Sequence, residues 1–119
     1  MPLTGFPSVD TRCSEKLQKL APDLVVLLRL RGRVTSPVIE ADLGISGVQV
    51  RALVSWMRCQ GRRDISRIGS DGNGYWWAMT REDIRPTIEH VEQRARKLYQ
   101  VRDGMIRAFD DENGQGVLI

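Results

Sequence analysis

The first sustained apolar run lies within APDLVVLLRLRGR, where Leu24, Val25, Leu27, Leu28 and Leu30 spread over more than one side of a helical wheel. Such a helix is expected to be well buried. Pro22 and Asp23 suit its first turn, and Gly32 suits its end. Ahead of it, Ser14 is placed to cap a short helix, SEKLQKL. Next comes SPVIEADLG, with Ser36 as N-cap, Pro37 at the first helical position and Gly44 as the stop. Ser46 then caps GVQVRALVSWMRCQ, which Gly61 closes. In that helix Val50, Leu53, Val54 and Met57 fall at i, i+3, i+4 and i+7 and define the core face. Val48, Ala52, Ser55 and Cys59 lie opposite. Gln49 and Trp56 flank one side of this outward face, and Arg51 and Arg58 the other.

The period then changes. RDISRIGS and YWWAM are rich in Ile and aromatics, and SDGNG between them holds Asp-Gly and Asn-Gly, the strongest short hairpin signals. Alternation puts Trp76 on one face of the second strand, with Tyr75 and Trp77 on the other. Thr80 and Asp83 form a capping-box arrangement. Pro86 follows too deep for a first turn, so a kink or a fresh helix start is expected there. Around and beyond it Ile84, Ile88, Val91, Ala95, Leu98, Arg102, Met105 and Phe109 recur at alternating spacings of four and three. This is a heptad seam with one charged break. It calls for a partner surface, either the chain's own domain or a second copy.

The expected fold class is mainly α with a small β-hairpin: a winged helix-turn-helix followed by a long C-terminal helix. The expected divisions are an arm over 1–13, a winged-helix domain over 14–79, a long helix over 80–110 and a tail over 111–119.

Composition changes this picture little, and charge changes it more. The chain has 119 residues, 41% hydrophobic and 28% charged, with a formal net charge of +3. That is enough to bury a core without disulfides or metal. Between Arg51 and Met79 stand five arginines, Arg51, Arg58, Arg62, Arg63 and Arg67, against Asp64 and Asp71. After Thr80 there are seven basic and eight acidic residues. The basic excess therefore sits on the helix–hairpin stretch, the footprint expected of a protein that meets phosphates. Arg29, Arg31 and Arg33 complement the dipole at the end of their helix, with phosphate contact as the alternative. Cys13 and Cys59 have no partner motif, so reduced thiols and a cytoplasmic setting are expected. No stretch reaches the ~18 apolar residues of a membrane span, and no signal peptide is evident. His90 stands alone, and no catalytic, metal or cofactor arrangement is found.

The helix over 46–60 is the candidate recognition element, with the wing over 62–78. Ser46, Gln49, Arg51, Ser55 and Arg58 are its candidate DNA contacts, joined by Arg62, Arg63, Arg67 and Asn73 from the wing and its approach. Ile88, Val91, Leu98, Met105 and Phe109 are the candidate dimerisation residues. The run VIEADLGISGVQVRALVSWMRCQG, followed by IGSDGNGYWWA, resembles the winged helix-turn-helix of small phage and prophage DNA-binding proteins, with LGIS as the turn and GSDGNGYW as the wing. The likeness covers roughly 22–78. It implies duplex binding through the third helix and the wing, at Ser46, Gln49, Arg51 and residues 70–73. RRDISR is a longer and more charged approach to the wing than that family uses. The expected partner is double-stranded DNA, and the seam of the C-terminal helix, which lies outside the resemblance, adds a homodimer; the expected role is that of a regulator or a replication, recombination or packaging factor. An adaptor that binds protein alone is one alternative. A single-strand or RNA binder stacking bases on Trp76 and Trp77 is another.

Overall fold

The computed structural model describes residues 12–113, with side chains through residue 110. Seven elements follow in order: α1 Glu15–Gln18, α2 Ala21–Arg31, α3 Ser36–Leu43, α4 Gly47–Cys59, β1 Ile68–Asp71, β2 Gly74–Trp77 and α5 Arg81–Asn113. The protein is mainly helical, with one antiparallel hairpin and a long C-terminal helix, as the periodicities predict. It divides into one unit ending at Ile84 and another beginning at Arg85. No helix among the described residues is long and apolar enough to cross a membrane. The tail beyond Asn113 and the arm before Arg12 lie outside the described residues.

Each helix start and stop in the first unit has a local cause. Ser14 Oγ accepts from the Leu17 amide at 3.1 Å and opens α1. α2 ends at Gly32, whose φ of 76° favours glycine. α3 begins one residue earlier than the sequence suggests. Its N-cap is Thr35, and Ser36 already lies in the first turn, where its hydroxyl donates to Glu40 Oε2 at 2.9 Å. α3 ends at Gly44 in the left-handed conformation. Ser46 and Gln49 then form a reciprocal capping box at the start of α4.

The core lies among α1–α4 and the hairpin. Leu24, Leu28, Ile39, Val50, Leu53, Met57 and Ile68 are its most enclosed members. The predicted core face of α4 is buried throughout. Ala52 is buried as well, at 5% exposure, which corrects its placement on the outward face. α4 packs against both α1 and α3. Cys13 is also in the core, so it belongs to the folded domain and not to the arm. Leu30, in contrast, is 80% exposed.

The hairpin is shorter than the sequence pattern implies. Arg63–Ile65 form a turn, and pairing begins only at Ile68, opposite Trp77. Trp77 and Tyr75 face the core, so the alternation is phased by this pair. Val34 adds a single bridge to Tyr75 through two 2.8 Å backbone hydrogen bonds, which anchors β2 to the segment between α2 and α3. Gly74 makes that bridge possible. Its φ is +145°, and a Cβ there would lie 2.6 Å from the Val34 carbonyl oxygen.

α5 starts on the predicted Thr80–Asp83 box. The Thr80 hydroxyl accepts from the Asp83 amide, and the Asp83 carboxylate accepts from the amides of Met79 and Thr80. Pro86 neither ends this helix nor starts a new one. α5 is assigned as one helix from Arg81 to Asn113, three residues past the expected end. Pro86 lies deep enough in it to remove one backbone hydrogen bond.

Candidate nucleic-acid interface

The outward face of α4 is a stripe at helical spacing, Val48, Arg51, Ser55 and Cys59, with Gln49 beside it, and all five are exposed. Small and polar side chains dominate it, so the helix can approach another surface closely. The N-terminal end is the most constrained part. The Ser46 amide donates to Gln49 Oε1 at 2.9 Å, and the Gln49 amide donates to Ser46 Oγ at 3.2 Å. The cap therefore engages the carbonyl end of the Gln49 side chain. The amide N–H groups of Gln49 and the hydroxyl proton of Ser46 remain for an outside acceptor. That chemistry favours guanine N7 and O6 or a phosphate oxygen over the two-sided contact that Gln makes with adenine.

Arg51 is exposed, and its guanidinium approaches the side of Gly47, where Glu40 Oε2 also lies. Glu40 accepts from Ser36, so a carboxylate stands beside the start of α4. Anything anionic that reaches the first turn of this helix meets the Arg51 guanidinium and the Glu40 carboxylate together beside Gly47.

The remaining arginines divide by what they hold. Arg58 is half-buried, and its Nε donates to the Ile68 carbonyl at 2.9 Å while a terminal nitrogen donates to Ser70 Oγ at 2.8 Å. It ties α4 to β1, a structural task that the sequence does not reveal. Arg62 makes a two-point contact with Asp64, with distances of 3.1 and 2.7 Å, and this hydrogen bond holds the Asp64 carboxyl below its usual range. Arg67 reaches the Met79 carbonyl and lies 5.8 Å from the Trp77 ring centroid. Arg63 is exposed in the turn before β1. Of the five arginines in this stretch, Arg51 and Arg63 form no hydrogen bond or ion pair among the described residues.

At the wing, Arg33 supplies an interaction that sequence reasoning assigned to the helix dipole. Its guanidinium makes a two-point contact with Asp71, at 2.7 and 2.6 Å, and stacks 4.5 Å from the Trp76 ring centroid. The Arg33 hydrogen bond, with a second from the Asn73 amide, lowers the Asp71 carboxyl. The Trp76 indole donates to the Asp83 carbonyl at 3.2 Å and lies against Gly69. The wing is thus pinned from the α2–α3 segment on one side and the start of α5 on the other. Asn73, the candidate minor-groove residue, is exposed at its tip.

Two of the three tryptophans bear on the single-strand alternative. Trp77 is 8% exposed and offers no stacking face. Trp76 is partly covered by Arg33. Neither presents the open aromatic platform that base stacking uses.

The five expected dimerisation residues lie along α5. Ile88, Val91, Leu98, Met105 and Phe109 are between 49% and 66% exposed. Tyr99, Val101 and Ile106 are exposed beside them and widen the apolar stripe toward the C-terminal half. Among the described residues the unit beginning at Arg85 is a single helix and contains no second element that could cover this stripe. No family model, curated protein or solved structure matches the chain.

Proposed function

We propose that this protein binds double-stranded DNA with the outward face of α4 and the wing, as a homodimer joined through α5. It acts by occupancy in the cytoplasm, with no catalysis and no cofactor, as a regulator or as a site-binding factor in replication, recombination or packaging. The resemblance of 22–78 to the winged helix-turn-helix of small phage proteins points the same way. The observation that carries the reading is the exposed stripe of α4. It presents Gln49 donors, Arg51 and Ser55 from a helix whose opposite face is locked into the core. The internal hydrogen bonds of Arg58 and Arg67 narrow the contact set to Arg51, Arg62, Arg63, Gln49, Ser46, Ser55 and the wing tip around Asn73, the exposed Arg62–Asp64 pair being weak enough to yield.

A salt titration tests it. Binding to a labelled duplex, followed by anisotropy, weakens linearly in log–log form with a slope of about −0.9 for each phosphate neutralised. With so few unpaired arginines per protomer, a shallow slope of about −2 to −4 is expected. No duplex affinity even at low salt would reject DNA binding and favour the protein adaptor. Preference for the single strand of the same sequence would favour the stacking alternative.

A further inference from the structure

We propose that two copies of α5 pair antiparallel, in a register centred between Arg96 and Lys97, with Arg102 of each copy meeting Glu92 of the other. The inference rests on the homodimer proposed above and specifies its geometry.

The argument starts from the seam. Ile88, Ala95, Arg102 and Phe109 share one heptad position, and Val91, Leu98 and Met105 share the other. In a parallel, in-register pair each seam residue faces its own copy. Arg102 would then meet Arg102, two like charges at an apolar seam. Ala95 would meet Ala95 and leave a thin layer between thick ones. An antiparallel pair sets the first position against the second. The spacings of four and three are symmetric about the point between Arg96 and Lys97. Ile88 then faces Met105 of the second copy, Val91 faces Arg102, and Ala95 faces Leu98. Each small residue meets a larger one, and no arginine meets its twin.

Charge selects the same arrangement. Glu92 directly follows Val91 and flanks the seam, on the side where the antiparallel partner brings Arg102. Within one chain Arg102 lies 4.8 Å from the Tyr99 ring centroid and bonds the exposed Asp103 at 2.8 Å. Tyr99 occupies the flanking position that would face Glu92 of the second copy. The stacked guanidinium is therefore already directed to the side from which that carboxylate would arrive. The exposed contact with Asp103 is weak enough to yield. Two such Arg102–Glu92 pairs form, one on each side of the two-fold axis.

Charge reversal in the full-length protein, read by sedimentation equilibrium, tests this register. Glu92→Arg and Arg102→Glu each bring like charges together and are expected to raise the dimer dissociation constant about tenfold or more. The double variant restores opposite charges and returns the constant toward that of the unmodified protein. The two positions lie roughly 15 Å apart along one helix, so no contact within a chain can produce that rescue. Circular dichroism at 222 nm confirms that each variant keeps its helix. A double variant no better than the worse single one, or single variants without effect, would overturn the register. An unmodified protein that remains monomeric at the highest concentrations would overturn both the register and the dimer. Duplex binding by that monomer would still uphold DNA recognition.

Discussion

Arg51 and Arg58 stand seven positions apart on one helix and have different tasks. Arg51 projects from the exposed stripe without a bonded partner, whereas Arg58 satisfies the Ile68 carbonyl and Ser70. Replacing Arg51 with alanine is expected to weaken duplex binding by ~1–3 kcal/mol and to leave the thermal midpoint nearly unchanged. Replacing Arg58 is expected to destabilise the fold by ~1–3 kcal/mol, because a carbonyl and a hydroxyl lose their donor. Anisotropy and thermal melts on both variants separate the two. The sequence places both residues on the flank of a correctly phased helix, and this much is legible from apolar spacing. It cannot show that β1 arrives within reach of Arg58, because that depends on tertiary placement. The same holds for Ala52. Its small side chain is compatible with an open face or with a tight contact, and tertiary packing buries it.

At the scale of elements, punctuation was more legible than extent. Gly32, Gly44 and the Ser46–Gln49 box end or begin helices where their chemistry predicts. The hairpin tip at Asp71–Gly74 was equally plain. The start of β1 was not, because the approach RRDISR carries Ile65, a strand former that is used in a turn. The bridge between Val34 and Tyr75 was invisible, since one residue outside any strand leaves no periodic trace. That bridge gives the hairpin a third line of backbone contact, and Gly74 is where it can be tested. Gly74→Ala drives a methyl group toward the Val34 carbonyl and strains a φ of +145°. A destabilisation of ~1–3 kcal/mol is expected, from overpacking and backbone strain together. It should appear in hydrogen exchange as lost protection at the Val34 and Tyr75 amides. Retained protection at both amides would show that the wing does not depend on the bridge.

On the scale of the whole molecule, the chain joins a unit with its own core to a single amphipathic helix. The second unit's length and seam could be read from the heptad spacing, though Pro86 suggested an interruption that the helix absorbs. An isolated helix with this much exposed apolar surface gains most of its stability from packing. In a dimer, its melting should shift to higher temperature as protein concentration rises, whereas melting of the α1–α4 core should not. Calorimetry over a hundredfold concentration range would show one mobile transition and one fixed transition; two fixed transitions would argue against self-association. The length of α5 carries a further consequence. In the proposed antiparallel register the two Arg81 positions would lie roughly 46 Å apart along the helix axis, at 1.5 Å per residue. Successive turns of one duplex repeat at only about 34–36 Å. On the proposed dimer, the length of α5 would therefore hold the two points where the helices begin farther apart than one helical repeat.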